Sequence, residues 1–299
     1  MELGEHDVAV ITGAGSGIGK ATAVAMAQRG LDLALMDINP DGLNATKEVA
    51  ESHGVQALCE VLDVSDRQAV LEFADATYEQ YGKVNVLFNN AAVNGIMAPA
   101  WQLPNDDWHW VMGVDLFGVI HGIEGFVPRM VESDEKGIVI NTTSIGGLIS
   151  GTTSAYSVAK HAITRLTEGL HYDFAQHAPS MQAALLVPGP INTGINASWG
   201  AMLNDRVRSQ LSDEEFHAMA EASQGIAAMV EQVGMEPQEV ATIVLKAIEQ
   251  DEFYIYTHPA AIKEMAKLRF DDFLSAKRPS PQAGDVEGMF ARWATDGVR

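Results

Sequence analysis

The chain has 299 residues, 47% of them hydrophobic and 7% aromatic, enough to bury the core of one large α/β domain or two small ones. Its 19 Lys and Arg against 40 Asp and Glu give a formal charge of -21, which repels phosphate backbones and anionic lipid and argues against nucleic-acid or membrane partners. One cysteine, Cys59, excludes an internal disulfide framework and suits a reducing, cytoplasmic setting.

The acidic start Met1–Asp7 lacks the basic and then apolar make-up of a signal peptide, and no apolar run approaches the roughly 20 residues that span a bilayer. Val8–Thr12 reads as a strand, nearly continuous in apolar residues, as strands covered on both faces are. It runs into Thr12-Gly13-Ala14-Gly15-Ser16-Gly17-Ile18-Gly19, and a helical pattern begins at Lys20. Glycines in such a corner let the backbone approach a pyrophosphate, and the helix N-terminus offers free N–H groups to the anion. The spacing, Gly13-x3-Gly17-x-Gly19, departs from the usual G-x-G-x-x-G. A second strand, Leu31–Asp37, ends on a carboxylate. Asp37 there accepts hydrogen bonds from the adenosine ribose hydroxyls and repels a 2′-phosphate, so NAD is expected and NADP disfavoured. Asn39 or Asp41 is the better cap for the helix that follows, which leaves Asp37 free. Asp63 closes the third strand, Val55–Asp63, and is placed to receive the adenine amino group, with Ser65 or Asp66 as the cap.

The fourth strand, Val84–Asn89, continues into Asn90-Ala91-Ala92; the fifth, Gly137–Thr142, is followed by Ser144; the sixth, Met181–Val187, by Pro188-Gly189-Pro190. Phe253–Thr257 is the seventh. Amphipathic stretches of about 12 to 25 residues separate the strands, the length a crossover helix needs. The alternation predicts a Rossmann-type, doubly wound parallel sheet of about seven strands with helices on both faces, in a single domain over 1–299. Residues 191–235 form a long insertion of the kind that covers binding sites, and 260–299 run on past the last strand as a helical stretch, a Pro/Ser-rich break and a short amphipathic end.

Tyr156 and Lys160 lie four residues apart at the start of a helix, so phenol and ammonium share one face. Taking a hydroxyl proton near neutral pH needs a base well below the ordinary tyrosine value of about 10, a gap worth roughly 4 kcal/mol. One cation at about 4 Å with an effective dielectric near ~20 supplies about that much. Ser144 would hold the substrate oxygen, and Tyr156 would act as base in oxidation and as acid in reduction. Alone, a Tyr-x-x-x-Lys pair is more often an exposed helix pair worth a few tenths of a kcal/mol. Here every one of these groups falls at the carboxyl end of a strand, where this architecture binds its ligands.

Together these motifs resemble the short-chain dehydrogenase/reductase (SDR) family over roughly residues 7–258. The nucleotide motif is matched by Thr12-Gly13-x3-Gly17-Ile18-Gly19, the sheet-stabilising Asn-Asn-Ala-Gly motif by Asn89–Ala92, and the active-site serine, tyrosine and lysine by Ser144, Tyr156 and Lys160. The resemblance implies an NAD-dependent alcohol dehydrogenase or carbonyl reductase. Its coenzyme would be held by Gly13, Gly15, Ser16, Gly17, Ile18 and Gly19 at the pyrophosphate, and by Asp37, Asp63 and Val64 at the adenosine. Asn90, Tyr156 and Lys160 would line the groove or hold the nicotinamide ribose, and Pro188, Gly189, Ile191 and Thr193 would meet the nicotinamide end. The family usually has glycine where this chain has Ala92, and asparagine, which orients a water behind the lysine, where it has Asp115. An ionised Asp accepts hydrogen bonds but donates none, so Asp115 is expected to keep a modified relay beside Lys160 as a fourth member of the catalytic set. The resemblance further implies a homodimer or homotetramer packed through the helices bearing Asp115 and Tyr156.

The 9 His show no metal-ligand spacing, so no metal is expected, and Cys59 reads as a small buried apolar residue. Trp101, Trp108 and Trp110 read as packing residues, with a substrate wall as the minority view. Met202, Met219, Met229 and Met235 fit an apolar cover or helix packing equally. Asn94–Met97, Ile145, Leu148, Ile149, Trp199 and Met202 are expected to border a substrate cavity with no Lys or Arg at hand. That points to an uncharged, hydrophobic secondary alcohol or ketone. A nucleotide-sensing protein with impaired turnover is the alternative, suggested by Asp115 and Ala92. A sugar epimerase or dehydratase fits less well, since such enzymes usually bring a longer C-terminal domain.

Overall fold

In a computed structural model, which describes residues 1–96, 99–151, 154–195, 212–214, 217, 228 and 230–280, the seven strands form one parallel sheet. They are β1 (Val8–Thr12), β2 (Asp32–Asp37), β3 (Ala57–Val61), β4 (Val86–Asn89), β5 (Gly137–Thr142), β6 (Met181–Val187) and β7 (Tyr254–Tyr256). Their order is β3-β2-β1-β4-β5-β6-β7, every neighbouring pair parallel. β1, β5 and β6 have the bounds read from the sequence; the other strands are trimmed at their ends. At β3 the reason is visible, because Gln56 gives its N–H to the Asp32 carboxylate at 2.7 Å before the ladder begins. Met97, Trp199, Met202, Met219, Met229 and the end of the chain from 281 lie outside the described residues.

Alternate residues of each strand enter different cores, which is why the strands look continuously apolar. Ala9, Ile11, Leu33, Leu35, Phe88 and Ile140 pack on one face beneath α1 (Gly17–Ala27), α2 (Pro40–Glu51) and α7 (Pro237–Gln250). Val8, Val10, Ala34, Met36, Leu87 and Val139 pack on the other beneath α3 (Arg67–Tyr81) and α5 (Gly118–Glu132). Edge strand β3 is partly open, and Cys59 is half-buried there rather than sunk in the core; burial pushes its thiol up to about 11, so it is a poor nucleophile at neutral pH.

α4 (Asn105–Val111) runs through a π-helical turn (Met112–Phe117) into α5, a continuous helix of 28 residues with a mean hydropathy of 1.4 over its most apolar window. Asp115, His121 and Glu124 break up its apolar runs, so counting runs misses a helix long and apolar enough to cross a bilayer. Within the protein it lies along the sheet, with 56% of that window buried. α6 (Ala155–His177) starts on a capping box, in which the Ser154 hydroxyl accepts the Ser157 N–H at 3.1 Å and Ser157 Oγ accepts the Ser154 N–H at 3.2 Å. After β6 the chain leaves the sheet at Ile191 and returns at Met235, where the two form a parallel bridge. α8 (Pro259–Leu274) follows β7 and coincides with the helix read near 260–274.

Candidate active site

The strand order reverses between β1 and β4, and a groove opens there at the carboxyl ends of the strands, with a volume of about 580 Å³. Gly13, Ser16, Gly17 and Ile18 line one part of it; Asp37, Asp63 and Val64 another; Asn90 and Ala92 its middle; Ser144, Tyr156, Lys160, Pro188, Gly189, Ile191 and Thr193 the far end. Gly15 and Gly19 stand behind this lining. Gly15 donates its N–H to Asp37 Oδ2 at 2.7 Å, and a side chain at Gly19 would run into the Gly13 carbonyl. Gly13 and Gly17 adopt φ of +66° and +51°, which other residues reach only with strain. Ser16 does not cap α1 with its side chain, so the first-turn N–H groups are left for an anion. This backbone corner fits the pyrophosphate of a dinucleotide.

At the ends of β2 and β3, Asn39 caps α2 and Asp66 caps α3, which relieves Asp37 and Asp63 of that duty. Asp37 is itself braced: Oδ2 accepts from Gly15 and Oδ1 accepts the Asn39 N–H at 2.8 Å. Asp63 Oδ1 likewise accepts the Ser65 N–H at 2.8 Å. Both carboxylates are held by one N–H per bonded oxygen, and each oxygen keeps a lone pair for a ligand.

Thr12, quoted in the glycine motif without a role of its own, proves to be the strut of the groove. Its hydroxyl accepts the N–H groups of Asn90 and Ala91, both at 2.8 Å, and its carbonyl accepts from Asn90 Nδ2 at 3.2 Å. Beneath, Asn89 Nδ2 donates to Asn141 Oδ1 at 2.9 Å, and Asn141 Nδ2 donates to Thr167 Oγ1 at 3.0 Å. This buried ladder joins β4, β5 and α6, and so ties the coenzyme half to the helix bearing Tyr156. The Thr257 hydroxyl, at the end of β7, accepts the Gly189 N–H at 2.9 Å and fixes the loop after β6.

Ser144, Tyr156, Lys160 and Asp115 come together from three segments: the loop after β5, the start of α6 and the π-helical turn. The Tyr156 and Ser144 side chains are hydrogen-bonded, and the Lys160 ammonium lies 5.4 Å from the centre of the tyrosine ring. Lys160, 1% exposed, donates to the Thr142 carbonyl at 3.1 Å and pairs with Asp115 Oδ2 at 3.1 Å. Asp115 is fully buried on the π-helical turn, whose widened backbone delivers it to the base of the groove, and its Oδ1 accepts the Val93 N–H at 2.9 Å. Sequence spacing alone implies a cation for Tyr156 to itself; in the structure that cation is shared with a carboxylate. Accordingly burial raises the Tyr156 phenol above its ordinary value, Lys160 and the Ser144 hydrogen bond pull it down, and Asp115 adds to the rise. Burial also raises the Asp115 carboxyl, opposed by Lys160.

Of the residues expected to border a substrate cavity, Ile145, Leu148 and Ile149 are partly buried against the cluster under α8 and Ile96 is fully buried, and none of these four is among the residues that line the groove. Two residues the sequence did not single out hold these segments. Asp107 of α4, 2% exposed, accepts the Ile96 N–H at 3.0 Å, and burial lifts its carboxyl to about 6. Arg269 of α8 donates to the Leu148 carbonyl at 3.0 Å, bringing a guanidinium to a loop where no cation was expected. Neither has a local signature, since each depends on which helix the fold lays beside the loop. Trp110 lines the groove beside Asp63, Trp108 is half-buried, and Trp101 is 83% exposed. Among the described residues no three His, Cys, Asp or Glu cluster closely enough to hold a metal ion.

Residues 7–204 match the short chain dehydrogenase family. A levodione reductase from Leifsonia aquatica is 31% identical over 251 residues, covering 83% of this chain and 89% of the relative. A C alpha-dehydrogenase from a Sphingobium species is 28% identical over 302 residues, covering 99% and 95%. A crystal structure of a short chain dehydrogenase/reductase from Burkholderia phymatum in complex with NAD superposes with a TM-score of 0.85 at 34% identity, over 94% of this chain and 98% of that one. The glycine corner, the reversed strand order and the Ser–Tyr–Lys cluster thus occur in a chain whose sequence and fold match one family: this protein belongs to the short-chain dehydrogenases, a family of oxidoreductases.

Proposed function

We propose that this protein interconverts an uncharged, predominantly apolar secondary alcohol and its ketone, with NAD as coenzyme and Tyr156 as acid and base. The observation that carries the reading is the phenol of Tyr156, hydrogen-bonded to Ser144 and one helical turn from Lys160, at the end of the groove lined by Gly189 and Thr193. NAD is favoured by Asp37, whose carboxylate occupies the place a 2′-phosphate would need, and the Burkholderia phymatum relative was crystallised with NAD. The glycine corner would hold the pyrophosphate, Asp37 the ribose, Asp63 and Val64 the adenine, and Asn90, Lys160 and Gly189 the nicotinamide half. When bound, the nicotinamide ring supplies the hydride acceptor or donor.

In oxidation Ser144 holds the substrate hydroxyl beside Tyr156, and the phenolate takes its proton; in reduction the phenol returns a proton to the carbonyl oxygen. Lys160 stabilises the phenolate by its charge, and the Thr142 carbonyl fixes the ammonium. Ile145, Leu148 and Ile149 make the loop after Ser144 apolar, which suits a substrate without charge. Tyr156→Phe keeps the ring and removes the proton, so it should bind NADH as wild type does and lose at least about 100-fold in kcat. Turnover is followed by NADH absorbance against a panel of ketones and alcohols, alongside fluorescence titration with NADH and NADPH. Undiminished turnover in Tyr156→Phe, or tighter binding of NADPH, would contradict the reading.

The pairing of Lys160 with Asp115 favours a second reading, a coenzyme-binding protein with impaired turnover. Wild type inactive on the whole panel while binding NADH would select it. We further propose a homo-oligomer packed through the π-helical turn, α5 and α6, where Phe117, Val158 and Tyr172 are 49%, 41% and 64% exposed.

A further inference from the structure

The ammonium of Lys160 has three neighbours of consequence: the Thr142 carbonyl, the face of Tyr156 and the carboxylate of Asp115. Lys160 and Asp115 are 1% and 0% exposed, so bulk solvent does little to screen the field between them. Asp115 Oδ1 accepts the Val93 N–H, and Oδ2 lies 3.1 Å from the ammonium. Wherever the shared proton rests, the phenol faces a dipole rather than a free cation. Among the described residues, the charged groups that bear on Tyr156 are these two alone, Lys160 from its own helix and Asp115 from the π-helical turn. Ser144, from the loop after β5, adds only a hydroxyl. His161, the residue after Lys160, is turned to the Gly147 carbonyl at 2.7 Å and lies on the Arg269 side of the loop. Asp37 and Asp63 belong to the far end of the groove.

We propose that Asp115 is a positioning residue that withholds part of the Lys160 charge from Tyr156, so that alcohol oxidation sets in at higher pH than it would with an asparagine there. The inference rests on the proposed role of Tyr156, but its physical core, the weakened field at the phenol, stands apart from turnover. A phenol kept protonated is ready to donate to a carbonyl oxygen and must be ionised before it can take a proton from an alcohol. The pH at which oxidation sets in is therefore set in part by an acidic residue that acts entirely through Lys160 and Tyr156.

The test compares Asp115→Asn with wild type in two ways. An ultraviolet difference titration, each protein minus its Tyr156→Phe counterpart, follows the phenolate directly in the coenzyme-free protein. A pH profile of kcat/KM for alcohol oxidation follows the same group in turnover. Both midpoints should fall by about one pH unit in Asp115→Asn, roughly tenfold in rate on the rising limb. Midpoints that coincide with wild type, or move up, overturn the proposal. Asp115→Ser, which also removes the charge, carries the same comparison if a thermal melt finds Asp115→Asn unfolded. The two layers separate cleanly. Unshifted midpoints with an inactive Tyr156→Phe sink the role of Asp115 and leave the reaction standing. Survival of turnover in Tyr156→Phe sinks the reaction, and the absorbance titration still decides the field at the phenol.

Discussion

At the residue scale the clearest imbalance is Asp107. Its carboxyl is buried with one hydrogen bond, to the Ile96 N–H, and Oδ2 has no hydrogen-bond partner. Burial lifts it to about 6, above the ordinary carboxylate value it has in the unfolded chain. The folded state therefore holds this proton more tightly than the unfolded state, so stability falls as pH rises from about 4 to about 6, and the loss is complete above that window. It amounts to roughly 3 kcal/mol at most. Asp107→Asn keeps the shape and the acceptor for Ile96 while removing the charge. It should raise the denaturation midpoint at pH 8 and do little below about pH 4; equal gains at both would mean that the charge is not the cause. Asp115 contrasts with Asp107, because its second oxygen meets an ammonium. Removing that partner by Lys160→Met would strand a buried carboxylate, a loss of about 3 to 5 kcal/mol.

At the element scale, α6 sets the geometry of the proposed chemistry through its first turn. Tyr156 stands next to the Ser154–Ser157 capping box, and Lys160 one turn on. Ser154→Ala removes the acceptor for the Ser157 N–H and should cost about 1 kcal/mol in urea denaturation. It should also lower kcat more than NADH affinity, since the frayed turn carries the phenol and not the glycine corner. An effect on NADH binding equal to that on kcat would show the cap acting on the whole groove. The same scale explains what the sequence left unread. Strands and the glycine corner follow from local rules: apolar runs, a carboxylate or a small residue at each strand end, and a Tyr-x-x-x-Lys spacing. The π-helical turn has no such rule, and it delivers Asp115 to Lys160 from a distant part of the chain. Thr12, Asp107, Arg269 and the Asn89–Asn141–Thr167 ladder act only across elements, so residue pattern alone did not reveal what they hold.

For the whole molecule, the proposed assembly offers the remaining prediction. Phe117 and Val158 stand exposed on neighbouring helices that also carry Asp115 and Tyr156. A charge there, Phe117→Glu with Val158→Glu, should reduce the mass measured by light scattering to that of the 32.1 kDa chain. An unchanged mass would place the interface elsewhere. The surface charge of -21 separates copies at low salt, so the measurement belongs at moderate ionic strength.

The hydrogen bond from Gly189 to the Thr257 hydroxyl has a consequence for how the protein comes into being. The glycine corner is made early in synthesis, yet one of the hydrogen bonds that secure the loop completing the groove waits for the residue just after the last strand. A nascent chain halted before that threonine would own the whole glycine corner and all seven strands, and still lack the bond that fixes Gly189.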